Sequence, residues 1–575
     1  MSKPATSALE SPGLKLKGTV AHAISAALLR HGVRTVFGQS LPTLLHLANA
    51  EAGIRQLGYR TENAGGCMAD GFARISGHAA VVTAQNGPAA TLLVAPLAEA
   101  LKASVPVVAL LQDVNRDQSD RNAFQELDHL QLFQACAKWV RRVTVASRVE
   151  DYIDQAFTAA CSGRAGPAVL MLPADLLIEP AKPSSRKANL GTYPLDRTQA
   201  DPARLAEAAR VLAEARAPLI VAGGGVLLSQ AHEQLAALQE LAALPVGTTV
   251  MGKGSVAETH PLSLGVIGYF MGRNSATRHM RALIEEADVV LFVGNRTNQN
   301  GTDSWTLFPA SARFIHLDID GAEVGRNYEA LRLVGDAKLS LAALGEAMKP
   351  LDLSRRRAAR PALEARIRDA KQAHLSEAAP VRDSDRSPLR PERVMRALQS
   401  RLTPETIVVA DASYSSIWIS NNLTALAPGM RFVAPRGLAG IGWGLPMGIG
   451  AKLAAPSRRV VVLTGDGGFG HVWSELETLV RESIDVKVIV LNNGILGYQK
   501  HAENVKFGAH TNVVDFAPVD HAAIARACGV EGLRVQSAAE LDAAIARAFD
   551  ESGPLLLDVV TDPDAYPPIT AYEPR

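Results

Sequence analysis

The feature that most constrains this chain is a recurrence of short, unbroken apolar runs, each followed by a glycine-bearing turn and then a helically spaced stretch. VVTA (81–84), VPVVALL (105–111), AVLML (168–172), PLIVA (218–222), DVVLFVG (288–294), RFIHLDI (313–319), TIVVAD (406–411), RVVVLTGDG (459–467) and VKVIVLNN (486–493) are of this kind. A strand apolar on both faces must be covered on both, and strands alternating with helices give parallel sheets wrapped by helices. The expected fold class is therefore α/β, with doubly wound parallel sheets. At 575 residues the chain exceeds what one core fills. Two polar, proline-bearing stretches read as linkers, 181–201 and 350–392, the second carrying RRRAAR and PVRDSDRSPLRPE. They leave three blocks, 15–180, 200–345 and 385–565. In each, ligands are expected at the carboxyl ends of the strands.

Charge narrows the function. A net charge of +1 points to neither nucleic acid nor an anionic membrane. Cys67, Cys136, Cys161 and Cys528 are scattered without close pairing or zinc spacing, which predicts no disulfide framework and a reducing compartment. The opening MSKPATSALESPGLKLKG lacks an apolar core and a cleavage pattern, and no run approaches about 20 uncharged apolar residues. The expected location is the cytoplasm.

The third block holds the most specific constellation. The strand RVVVLTG leads into Gly465-Asp466-Gly467-Gly468, a helical pattern follows (Val472, Trp473, Leu476, Leu479, Val480), and the next strand ends in Asn492-Asn493-Gly494. One crossover helix thus separates an acid and an amide at two strand ends, and such ends can share a pocket. Mg²⁺ takes oxygen ligands in octahedral geometry and commonly shares them with phosphate. Asp466 offers an anionic oxygen and Asn493 an amide oxygen, and Gly467 and Gly468 let backbone N–H groups approach phosphate at a helix start. Either turn alone is a common loop; the pair at this spacing is not.

GDG followed by NN at this interval resembles the motif of thiamine-diphosphate-dependent enzymes, and most of the chain is similar to the acetolactate-synthase large-subunit family. The resemblance implies thiamine diphosphate and Mg²⁺ as cofactors, with Asp466, Asn493 and the Ile495 carbonyl on the metal. Its three domains would bind the pyrimidine, form a central nucleotide-binding-like unit, and bind the diphosphate. GLAGIGWGLPMGIGAKLA (437–454) resembles the family's stretch before GDG, with Gly440 in contact and Ile441 holding the cofactor bent. Tyr414 and Ser415 fall where the family often has Gln-His near the diphosphate; Gly465, Gly467, Gly468, Leu496, Gly497 and Tyr498 complete the implied contacts. In the first block, IRQLGYRTENAGGCMADGFARISG resembles the segment whose Glu activates the cofactor, which falls on Glu62. Asn86 lies in the similar QNGPAATLL run, and Phe124-Gln125-Glu126 matches an FQE run, giving Gln125 a catalytic assignment. The family builds its site between the first domain of one subunit and the third of another, so a homodimer or homotetramer is implied.

The implied reaction is decarboxylation of a 2-keto acid and addition to a second carbonyl. Departures exist: VFGQSLPT (36–43) replaces VFG-x-PGG, Tyr498-Gln499 stand for Met-Val, and Ala502 stands for a Trp. Tyr498, Gln499 and His501 would make a more polar pocket, unless they are loop residues facing water. A lyase or C–C hydrolase on a 2-hydroxyacyl-CoA, a cyclic diketone or a 2-hydroxy ketone is the alternative on the same cofactor. A non-catalytic nucleotide-binding paralogue is the alternative of another class, and it predicts a broken constellation. In the central block, Gly223-Gly224-Gly225 after a strand and Arg296 suit a diphosphate. FAD, the ADP portion of CoA, or no ligand are the readings left open there.

Overall fold

The computed structural model describes residues 17–181 and 184–572. The opening residues read as lacking a signal peptide lie largely outside that range, as do the first two residues of the first block and two of the first linker. Three six-stranded, wholly parallel sheets make up the frame. The first holds β1 (Thr35–Gly38), β2 (Arg55–Leu57), β3 (Ala80–Ala84), β4 (Val107–Asp113), β5 (Trp139–Arg142) and β6 (Ala168–Pro173) in the order β2-β1-β3-β4-β6-β5. The second holds β7 (Pro218–Ala222), β8 (Val246–Thr248), β9 (Ser263–Val266), β10 (Val289–Val293), β11 (Arg313–Asp318) and β12 (Ala330–Val334) in the order β12-β11-β10-β7-β8-β9. The third holds β13 (Ile407–Ala410), β14 (Phe432–Val433), β15 (Val460–Gly465), β16 (Lys487–Asn492), β17 (Glu531–Val535) and β18 (Leu555–Val560) in the order β14-β13-β15-β16-β18-β17. The first and third sheets therefore share one topology, and the central sheet has another. The inner strands β3, β7, β10 and β13 are buried at every residue, as their unbroken apolar runs require.

The helices that position the sites are α1 (Glu62–Ser76), α2 (Val94–Ala103), α3 (Ser354–Arg382), α4 (Tyr414–Asn422), α5 (Gly444–Ala454), α6 (Glu475–Arg481) and α7 (Gly497–Phe507). The stretch 350–392 contains α3, a 29-residue helix, where charge runs and prolines suggested an irregular linker. Arg356 anchors it by donating to the Ala242, Ala243 and Arg216 carbonyls, and Ile367 is fully buried. The helical pattern after Gly468 is also not one helix. A four-residue turn, Asp466–Phe469, is followed by a break and then α6, and Val480 is left 41% exposed.

The first and third blocks of a chain meet where α1 crosses α5. A Cβ on Gly71 would overlap the Met447 backbone, and one on Gly450 would overlap the Met68 backbone. Backbone-to-backbone approach of this kind is open only to glycine, and any side chain there must part the helices. Met68, Ala69, Met447 and Ile449 are fully buried around the crossing. Among the described residues no helix is long and apolar enough to cross a membrane.

Candidate active site

Sheet order dictates where ligands fit. In the third sheet the chain direction across the sheet reverses between β13 and β15, which opens a crevice at their carboxyl ends. A cavity of about 240 Å³ lies there. Tyr414, Ser415, Ile441, Gly465, Asp466, Gly467, Gly468, Asn493, Ile495, Leu496, Gly497 and Tyr498 all line it. Gly440 lies one residue outside the lining, packed against the Trp443 ring.

Strand alternation separates the two asparagines. Asn492, still in β16, turns inward and donates to Asp558 Oδ1 (2.9 Å) and the Val519 carbonyl. Asn493 faces the cavity, and among the described residues its Oδ1 accepts only the Ile495 N–H at 3.3 Å. Asp466 accepts the Gly494 N–H (2.9 Å), and Gly494 makes that turn with φ +69°. Burial raises the Asp466 carboxyl to about 6, against the pull of surrounding backbone N–H groups. Among the described residues no three His, Cys, Asp or Glu side chains converge as a metal centre. A site with one carboxylate and an amide oxygen instead suits a hard cation that shares its coordination with phosphate and water. The helix α7 starts at this cavity with no side-chain cap, so its first N–H groups are free for an anion.

The floor is held by Asp411, at the end of β13. It accepts from Ala412 N (2.9 Å), Gly442 N (2.8 Å), Trp443 N (3.1 Å) and Thr464 Oγ1 (3.1 Å). A Cβ on Gly468 would strike this carboxylate, which fixes glycine there. Ser413, in the cavity lining, and Ala439, two residues before Ile441, hold positive φ (+60° and +65°) without being glycine. Such backbone costs about 1–3 kcal/mol each and collects at functional loops.

Glu62, Asn86 and Gln125 form a second group, at the carboxyl end of the first sheet, and none of them lines the third-block cavity of the same chain. Glu62 is the first residue of α1 and half-buried; Thr61 caps the helix by accepting from Ala64 N at 3.3 Å. Asn86 Nδ2 donates to the Gln125 carbonyl (3.0 Å), and Gln85 Nε2 donates to Gln125 Oε1 (2.6 Å). Gln125 has φ +61°, another strained non-glycine.

Two buried acids missed by sequence reasoning tie these groups together. Glu475, from α6 in the third block, accepts from Arg60 N (3.0 Å) and Thr61 N (3.3 Å), the two residues before Glu62. Glu99, from α2 in the first block, accepts from Gly437 N (2.8 Å) and Leu438 N (2.6 Å), just before Gly440-Ile441. Each block thus grips a loop of the other that carries candidate site residues. Their sequence signal was an acid within a largely apolar helical run, with no Lys or Arg four places away.

In the central block, Gly223, Gly225, Asn295, Arg296, Asp318 and Ile319 line a cavity of about 150 Å³ at the β7/β10 reversal. The glycines have a packing reason as well: Cβ atoms on Gly223 or Gly225 would overlap the Gly294 backbone. Burial raises Asp318 to about 6. A larger cavity of about 740 Å³ adjoins and shares Arg164, Arg296 and Arg436 with it.

Comparison with known proteins follows the same three-part division. Family models of the thiamine pyrophosphate enzymes match three segments: the N-terminal TPP-binding domain over 18–132, the central domain over 205–344 and the C-terminal TPP-binding domain over 411–559. A probable acetolactate synthase large subunit of Methanocaldococcus jannaschii is 34% identical over 94% of this chain and 92% of its own length. The acetolactate synthase isozyme 2 large subunit of Escherichia coli is 30% identical, covering 93% of this chain and 94% of its own. The chloroplastic acetolactate synthase of Arabidopsis thaliana is 30% identical, covering 93% and 80%.

Proposed function

Because the chain belongs to the thiamine pyrophosphate (thiamine diphosphate) enzyme family, we propose that it is a carboligase of the acetolactate-synthase type, joining two 2-keto acids with loss of CO₂. The observation that carries this reading is the cavity where Asp466, Asn493, Gly467, Gly468 and Ile441 meet at the β13/β15 reversal. The residues fit the group: Asp466, Asn493 and the Ile495 carbonyl would hold Mg²⁺, and the glycine turn and the start of α7 would cradle the diphosphate. When bound, thiamine diphosphate supplies a nucleophilic carbon and an electron sink for decarboxylation. Ile441 would hold it bent, and Glu62, half-buried at the start of α1, would hydrogen-bond its pyrimidine ring, a bond that strengthens where water is excluded.

Glu62 and Gln125 lie outside the third-block cavity of their own chain, which supports a site shared between two subunits. Exposed apolar side chains near both groups support it further: Phe124 is 84% exposed and Leu438 50%. A homodimer, or a tetramer of such dimers, is the assembly expected. The central cavity would take a nucleotide, with FAD slightly ahead of the ADP portion of CoA. Arg296 makes no ion pair or hydrogen bond among the described residues and would meet the diphosphate.

Incubation with pyruvate, thiamine diphosphate and Mg²⁺, with acetolactate measured as acetoin after acid treatment, tests the reading. Acetolactate formation supports it; cofactor binding without acetolactate overturns it and moves the search to lyase substrates. The absorption spectrum of the purified protein tests for the flavin.

A further inference from the structure

Arg436 is a guanidinium without an acid. It is half-buried between the central and third blocks, where it lines both central cavities, and it makes no ion pair among the described residues. Its one side-chain bond is from Nη1 to Ser416 Oγ (3.1 Å), and its guanidinium lies over the Phe270 ring at 5.3 Å. The acid closest in influence, Glu99, is already committed to Arg74 and to the Gly437 and Leu438 N–H groups. Burial lowers the pKa of Arg436, as expected of a cation without a counter-charge. Buried charges in folded proteins are normally paired, and a guanidinium has five donors in a fork that matches a carboxylate.

Its surroundings indicate which anion. Ser416 follows Tyr414 and Ser415 on α4, both of which line the cofactor cavity, and Arg436 stands five residues before Ile441. Tyr498, also in that lining, and Tyr269 of the central block lie within electrostatic reach of it, and their hydroxyls bond one another at 3.0 Å. Tyr414 bonds His501 Nδ1 at 3.0 Å, and His501 stacks on Tyr566 with centroids 4.2 Å apart. This side of the cavity is built of neutral donors with one cation behind them and no free carboxylate.

We infer that Arg436 binds the carboxylate of the 2-keto acid, with the Tyr269–Tyr498 hydroxyl pair beside it, and so sets the preference for acid over neutral carbonyl substrates. The inference rests on the carboligase reading, but its binding test does not. Loss of a charge-assisted, desolvated contact weakens binding by about 10- to 100-fold.

The experiment compares wild type, R436M and R436K, each loaded with thiamine diphosphate and Mg²⁺. Two quantities are measured: calorimetric affinity for oxamate, an unreactive isostere of pyruvate, and kcat/KM for pyruvate against its neutral amide. Oxamate affinity and the pyruvate-to-amide preference should both fall at least tenfold in R436M and partly recover in R436K, with cofactor affinity unchanged. If wild type makes no acetolactate but binds oxamate through Arg436, the carboxylate site stands and the proposed reaction fails. Oxamate affinity within twofold of wild type in R436M overturns the inference. So does a loss of ADP affinity with oxamate affinity intact, which would give the guanidinium to the central cavity. R436K keeps the charge and the approximate length, so it reports even if R436M does not fold.

Discussion

Glu475→Ala offers a quantitative test of how Glu62, the acid proposed to activate the cofactor, is placed. Glu475 is 1% exposed, and its three bonds go to Arg60 N (3.0 Å), Thr61 N (3.3 Å) and Thr478 Oγ1 (2.8 Å). Alanine leaves two backbone donors and a hydroxyl without that acceptor. A lost bond to a charged group is worth about 1.5–3 kcal/mol, and a stranded buried donor costs about 1–3 kcal/mol. Both N–H groups are only part-buried, so water restores a share, and burial already raises the carboxyl above its ordinary range. The net cost is about 2–4 kcal/mol. Catalysis should suffer separately, because Thr61 is the cap of α1 and Glu62 its first residue. A displacement of about 1 Å at a reacting group can cost on the order of 100-fold in rate. Steady-state turnover of pyruvate at saturating cofactor, paired with thermal unfolding, separates the effects. Glu475→Ala should lose about 10- to 100-fold in kcat and several degrees in melting midpoint. Glu475→Gln keeps an acceptor oxygen for both N–H groups and should stay within about threefold. A kcat for Glu475→Ala within twofold of wild type would refute the positioning argument, whatever the stability change.

Other substitutions probe the rest of the frame. Asp466→Ala should abolish Mg²⁺-dependent binding of thiamine diphosphate in calorimetry, and unchanged affinity would remove Asp466 from the site. Glu62→Gln should keep cofactor affinity and lose most turnover, while near-normal kcat would cancel its assigned role. Gly71→Ala should destabilise the crossing of α1 and α5 by about 1–3 kcal/mol or more, read as a lower unfolding midpoint. His316 is 1% exposed, bonds the Asn295 carbonyl through Nε2 (2.8 Å) and accepts Gly325 N at Nδ1 (3.2 Å), so it is neutral; burial lowers it to about 4. The unfolded chain takes up its proton near pH 6.5 and the folded chain only near 4, so this stabilisation is complete above 6.5 and lost as pH falls across that window. The expected loss is about 3 kcal/mol in all, and urea midpoints of His316→Gln should be correspondingly less sensitive between pH 7 and 4.5.

The parallel sheets were legible because strands covered on both faces must be apolar throughout, and β3, β7, β10 and β13 are. The third-block site was legible because its parts are local: a glycine turn, an acid and an amide, each directly after a buried strand. Glu62 could be placed at a helix start by its surrounding segment. Glu99, Glu475 and Asp411 could not be singled out, because they mostly bond backbone N–H groups. A backbone donor has no residue type, and the partners of Glu475 lie over 400 positions away. Which of Asn492 and Asn493 faces the cavity depended on strand register. The helix α3 was hidden by its own charges, since a helix that docks mainly through Arg356, Ile367 and His374 leaves most of its surface polar.

The glycine crossing of α1 and α5 also governs how the chain is made. Its two helices lie about 370 residues apart in sequence, so at roughly 5–20 residues per second α1 leaves the ribosome on the order of 20–70 seconds before α5 exists. Throughout that interval the first sheet can close, but the face of α1 carrying Gly71, with Met68 beside it, has nothing to cover it. The newborn first block therefore leaves an apolar helix face without its partner until α5 arrives. A truncated gene ending before residue 444 should yield aggregate, and slowing translation over the central block should lower the recovered yield.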